Sequence, residues 1–206
     1  MKKIKQTSIV TILLSLIPLL MGLADYHKLP NKMATHFNLK GAANGYLNKE
    51  MAVIGMPLFF ILLELLVIGL TIYAIKRTPK SSLKFTNLLF LVPVISILTT
   101  GLIIYYNLGF AVNVTEIAML IVGIVFLLIG NYLPTVSYQF EKQTHPFYRG
   151  NEADWNQTKR FFGKTFFFGG ILILISLLLS STVASVIMFF TIGIVLLGTY
   201  KINHKK

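Results

Sequence analysis

The chain has no cysteine among its 206 residues, which excludes disulfides and thiolate chemistry while leaving the redox compartment open. Charge is also scarce, with Asp, Glu, Lys and Arg making up 13% of residues, against roughly 25% in soluble domains. Whole stretches lack it: Gln6 to Ala24, Phe85 to Thr115, Ile117 to Phe140 and Thr165 to Tyr200 contain none of the four, and Met51 to Ile75 contains only Glu64. A bilayer core about 30 Å thick takes about 20 mostly apolar residues per helix. A soluble domain of this length cannot hide so many such runs in one core, so the chain reads as a multi-pass membrane protein. It also lacks an HExxH-type helix, a nucleophile–base pair and detectable similarity between its halves. Those absences leave an intramembrane enzyme or an inverted-repeat transporter with little beyond Glu64 to stand on.

What charge there is carries topology. The net charge of +12 comes from 19 Lys and Arg against 7 Asp and Glu. These bases punctuate span ends rather than line one face, which argues for anionic lipid and against direct nucleic-acid binding. Spans are expected near Gln6–Ala24, Met51–Ile75, Leu88–Tyr106 and Ile117–Leu133. Thr165 to Tyr200 is too long for one helix and barely enough for two, so a tight turn is placed at Ser180-Ser181-Thr182, giving six spans, with five as the alternative. With both termini cytoplasmic, the inside segments hold 15 of the 19 Lys and Arg, and only Lys28, Lys32, Lys40 and Lys49 lie outside. The basic start and the Gly22-Leu23-Ala24 end of the first run resemble a secretory signal, but its length favours a retained anchor.

The outer loop, Asp25 to Glu50, is the richest polar segment. Leu29-Pro30 breaks the helix. Ala34 to Leu39 alternates like a short strand, with Thr35, Phe37 and Leu39 on one side and Ala34, His36 and Asn38 on the other. Gly41 and Asn44-Gly45 offer turn chemistry with positive φ, and Tyr46 leads back to the bilayer. Asp25, His27 and His36 are legitimate ligand types, but their spacing does not close a metal site, and the histidines read as loop-ordering or headgroup-facing groups. Glu64 is an intramembrane ionisable residue and by default a functional candidate. No embedded Lys, Arg or His is available to pair with it, so a structural or partner-contact role is favoured over catalysis. In the inner loop, Tyr138 to Lys164, Asn151 caps a helix with Glu152 and Asp154 in its first turn. Trp155, Lys159 and Phe162 share a face of this interfacial helix, which enters the fifth span with Trp155 at headgroup level.

Two groups of residues then carry a resemblance. Pro30, His36, Phe37, Asn38, Gly41, Gly45 and Tyr46 resemble the short signature of the DUF1648 membrane domain. Gly130, Asn131, Pro134, Trp155, Thr158, Arg160 and Gly163 are similar to the signature of SdpI-type immunity proteins. The chain departs from that pattern between Glu141 and Gly150, where Arg149-Gly150 is a partial echo, and at Lys159, where histidine is frequent. The resemblance implies an all-α polytopic protein of the bacterial cytoplasmic membrane. It would have six transmembrane helices, a small folded extracytoplasmic loop and a cytoplasmic interfacial helix. A DUF1648-like half would span 1–110 and an SdpI-like half 111–206. The implied function is immunity to a secreted toxic peptide, with a cytoplasmic repressor as a further partner and no cofactor or catalytic residue. A small transporter or intramembrane enzyme using Glu64 is the alternative.

Overall fold

The computed structural model describes residues 2–77, 86–136, 138–139 and 151–203. The Glu141–Gly150 stretch, with Arg149 and Gly150, lies outside the described residues, as do Phe140, Lys80, Lys84, Lys205 and Lys206. The chain divides into two compact units, Met1–Thr115 and Glu116–Lys206.

In the first unit, helix α1 (Lys2–Ala24) leads through a short 3-10 turn (Tyr26–Lys28) into strands β1 (Lys32–Phe37) and β2 (Ala43–Asn48). Helix α2 (Met56–Arg77) and, after another 3-10 turn, helix α3 (Leu91–Asn107) complete a three-helix bundle. A π turn, Met51–Gly55, precedes α2, with the Met56 N–H donating to the Met51 carbonyl. Pro57 explains the widening: it has no N–H for the Val53 carbonyl and its ring would crowd that oxygen in a regular α ladder. Two apolar clusters fix the register of the bundle. One joins Ile4 to Ile68 and Leu89, the other joins Met21 to Val53, Ile103 and Ile104, so α1 and α3 run parallel and α2 runs against them.

In the second unit, helix α4 (Val114–Tyr132, its first two residues in the first unit) packs with α5 (Glu152–Ser176) and α6 (Ser181–Asn203). Asn151 caps α5, its side-chain oxygen accepting from the Asp154 N–H at 2.9 Å. The expected interfacial helix and fifth span are therefore one uninterrupted helix of 25 residues. The long apolar run does divide into two helices. Its turn lies at Leu177–Ser180, slightly earlier than expected, because the Ser180 hydroxyl accepts from the Val183 N–H at 3.2 Å and starts α6.

Among the described residues, five helices are long and apolar enough to cross a membrane: Lys3–Ala24, Met51–Tyr73, Leu88–Asn107, Val114–Thr135 and Ser181–Ile202. Their outward faces are apolar, with Leu62 66%, Phe190 69% and Leu197 72% exposed. Water would not tolerate such faces on so many helices, whereas lipid does, and the chain is a multi-pass membrane protein. Helix α5 falls outside that set because Lys159, Arg160 and Lys164 occupy its middle, leaving Thr165–Ser176, about 18 Å of helix, free of charge.

Candidate functional site

The Asp25–Glu50 segment folds into a hairpin seated on the end of the first bundle. Its turn is not at Asn44-Gly45. The chain reverses over Asn38 to Ala42, where the Asn38 side-chain oxygen accepts from the N–H groups of Lys40 (2.9 Å) and Ala42 (3.0 Å). Gly41 supplies the left-handed residue, at φ 77°. Asn44 and Gly45 lie inside β2, and Gly45 has no positive φ. Its smallness serves a different need: a Cβ there would sit 2.7 Å from the Cβ of His36 across the ladder. Strict alternation also fails. A bulge between Ala34 and His36 leaves Met33 and Ala34 consecutively buried, at 1% and 3% exposure.

Asn107, the last residue of α3, clamps the outer edge of β1 as a neighbouring strand would. Its amide donates to the Ala34 carbonyl (2.9 Å) and its oxygen accepts from the Ala34 N–H (2.8 Å). A further bond to the Ile103 carbonyl at 2.8 Å holds the amide on its own helix. Phe37 meets Tyr106 edge to face at 4.7 Å, and Thr115 donates to the Leu39 carbonyl at 3.5 Å. At the base, the Tyr26 hydroxyl donates to Glu50 at 3.0 Å and Lys49 donates to the Tyr26 carbonyl at 3.2 Å. The bond to Glu50 raises the pKa of Tyr26. Glu50 is held below the ordinary carboxylate value by its own backbone N–H and by the Tyr26 phenol.

Of the residues picked out in this loop, Phe37 is packed, Gly41 and Gly45 shape the backbone, and Pro30, His36, Asn38 and Tyr46 are exposed. His36 Nδ1 lies 2.6 Å from the Asn44 side-chain oxygen and Asp25 pairs with Lys28 at 2.9 Å. Among the described residues, no group of three or more His, Cys, Asp or Glu is placed to hold a metal.

Glu64 is fully buried, and neither carboxyl oxygen has a hydrogen-bond partner. Sequence reasoning saw no cation to pair with it, but the surroundings are not apolar. Ser8, Thr11 and Ser15 on α1 and Ser96 and Thr100 on α3 are buried in the same bundle. The Thr11 hydroxyl lies close enough to interact with the carboxyl, although its hydrogen bond goes to the Ser8 carbonyl at 3.2 Å. The signal available in the sequence was the i, i+4 spacing of Thr11 with Ser15 and of Ser96 with Thr100, which puts each pair on one helix face.

In the second unit, Gly130, Pro134 and Trp155 come together. A Cβ at Gly130 would lie 2.6 Å from the Phe167 Cα and 2.8 Å from the Gly163 carbonyl oxygen. A Cβ at Gly163 would meet Pro134 Cδ at 2.7 Å. These glycines bring α4 and α5 to backbone contact, the arrangement by which membrane helices gain packing without a hydrophobic driving force. Trp155 packs inside the protein. It is 7% exposed and its indole N–H donates to the Val136 carbonyl at 3.3 Å. Lys159 Nζ donates to the same oxygen at 2.8 Å, and burial, then the Arg160 charge, lower its pKa. Asn131 and Arg160 are exposed and do not join this cluster.

Residues 13–61 match the domain of unknown function DUF1648. The match covers the second half of α1, the whole hairpin and the π turn, and ends three residues before Glu64. No curated protein and no solved structure matches the chain.

Proposed function

We propose that this protein is a bacterial cytoplasmic-membrane immunity protein that binds a secreted toxic peptide at its outer hairpin. In this reading the chain crosses the membrane six times, with α5 as a short fifth span whose lysine stems reach the interface. Both termini are cytoplasmic, as the 15-to-4 division of basic residues favours. The carrying observation is the hairpin itself: a small folded cap held to α3 by Asn107, within the matched DUF1648 segment, and showing Leu39 (55% exposed) and Tyr46 (59% exposed) outward. A polar cap that carries an exposed leucine and tyrosine beside the bilayer suits an amphipathic peptide arriving from outside. The SdpI-like residues Gly130, Pro134 and Trp155 support the same reading, through packing of the second unit. No catalytic residue is assigned.

The test is to express the chain in a sensitive bacterium and challenge it with a panel of secreted membrane-active peptides. Survival above the empty-vector control against at least one of them is expected. Equal killing across the panel, with normal membrane levels of the protein, refutes immunity to peptides of this class. Labelling of a cysteine placed at Lys205 should succeed only after the membrane is permeabilised, and labelling of intact cells refutes the six-span topology.

A further inference from the structure

The first bundle carries a layer of buried side-chain oxygens. Five buried side-chain oxygens there have no hydrogen-bond partner: Ser8 Oγ, both carboxyl oxygens of Glu64, Ser96 Oγ and Thr100 Oγ1. In a membrane helix, Ser and Thr ordinarily satisfy their hydroxyls on a carbonyl one turn back, as Ser15 does on Thr11 at 2.9 Å and Thr99 does on Ile95 at 2.8 Å. Ser8, Ser96 and Thr100 make no such bond. The register of the helices places the layer between two apolar plugs. Ile4, Ile68 and Leu89 close one end, and Met21, Val53, Ile103 and Ile104 close the other. From the first plug, Ser8 on α1 and Glu64 on α2 each lie one turn along their helices, about 6 Å, and Thr11 and Ser96 lie two turns along, about 10 Å. Thr100 lies three turns along, about 16 Å, too far to join the carboxyl.

Charge and ligand chemistry narrow what this layer holds. A lone carboxylate in a bilayer core is costly unless neutralised, and the spans of the bundle carry no Lys, Arg or His. One negative charge asks for one positive charge. Divalent calcium is usually met by several carboxylates, and magnesium usually keeps several waters in a near-ideal octahedron. Soft or borderline metals seek sulfur or imidazole, and neither is present in this layer. A carboxylate with neutral hydroxyls is an all-oxygen shell for a hard monovalent cation.

We propose that Glu64, with the hydroxyls of Ser8 and Ser96, forms an intramembrane binding site for an alkali cation such as sodium. Glu64 is the charged ligand and the hydroxyls replace part of the ion's hydration shell. The site lies inside the bundle that presents the hairpin, and it does not depend on the immunity reading.

The test uses the full chain purified in detergent, with thermal unfolding followed in sodium chloride, potassium chloride and choline chloride at equal ionic strength and fixed pH. Sodium should raise Tm saturably, on the order of 5 °C at one hundred times its Kd, relative to choline. Glu64→Gln should abolish the sodium response. Should that variant fail to fold, Ser8→Ala and Ser96→Ala serve instead, each expected to move the sodium midpoint about tenfold higher. Identical Tm in sodium, potassium and choline overturns the proposal, as does a sodium response undiminished in every folded variant. Stability that follows pH alone, with no alkali-cation effect, also overturns it and assigns the layer to a proton or to water.

Discussion

The Asn107 clamp makes a prediction that can be sized from its geometry. Asn107→Ala removes both partners of the Ala34 backbone, which is 3% exposed and has no room to turn toward solvent. Each buried backbone group left without a partner costs about 1–3 kcal/mol, so the hairpin should lose about 2–6 kcal/mol of local stability. At the low end of that range, opening of the hairpin becomes about 30-fold more frequent. Hydrogen exchange followed by mass spectrometry over peptides spanning Met33–Leu47 reads this directly, with α5 and α6 as internal controls that should not change. Thr115→Val is the comparison. Its hydroxyl bond to Leu39 is long, at 3.5 Å, and its loss should alter exchange less than threefold. Exchange of the Ala34 amide in Asn107→Ala within threefold of the unsubstituted protein refutes the clamp as the seat of the hairpin.

Gly130→Ala should force α4 away from α5 against backbone atoms of Phe167 and Gly163, with a loss of about 3 kcal/mol or more in denaturant unfolding. Gly69→Ala, where nothing lies within 4 Å of the added carbon, should be neutral or gain about 0.5–1 kcal/mol. Gly45→Ala should destabilise the hairpin by about 1–3 kcal/mol through His36. Adding His36→Gly should restore it, and no restoration in the double variant means that crowding is not the cause. The Tyr26–Glu50 bond gives the cap a pH dependence at both ends. Glu50's lowered pKa means its contribution is present above the ordinary carboxylate value and lost as pH falls through the lowered one. Tyr26's raised pKa means its contribution is present below the ordinary tyrosine value and lost as pH rises through the raised one. Tyr26→Phe should remove the alkaline limb of a proteolysis-versus-pH curve at the hairpin and weaken the acid limb, which the Glu50 backbone N–H sustains.

Charge-free runs made the spans legible because lipid imposes a length on helices that sequence records directly. The α5 cap was equally plain, since Asn151, Glu152 and Asp154 act within one turn. Of the turn residues expected in the hairpin, Gly41 takes the positive φ and Asn44-Gly45 does not. Asn44-Gly45 has the composition of a tight turn, yet Asn38 captures two N–H groups ahead of it, and Gly45 is needed for the approach of His36. The bulge at Thr35 parts buried Ala34 from exposed His36 and Asn38, with which alternation grouped it, because register depends on the partner strand and not on alternation alone. Trp155 shared a face with Lys159, and sequence could not say that the face meets Val136 instead of lipid. Asn107 and the hydroxyls around Glu64 lie 73 and more than 30 residues from what they serve. No local pattern announces such pairings.

The π turn ahead of α2 has a geometric consequence for everything on either side of it. It adds one residue to the α ladder, an offset of about 100° around the helix axis. Strand β2 and the Glu64 carboxyl are therefore geared to each other through Met51–Gly55. Val53 is wedged against Gly22 on one side of that gear, and Pro57 is buried just past it on the other. Deleting one residue there would let the ladder close, and one end would then have to rotate. Either the carboxyl would swing out of its oxygen layer toward lipid, or the hairpin would leave its seat on Asn107. A single turn thus keeps the cap and the intramembrane carboxyl in phase.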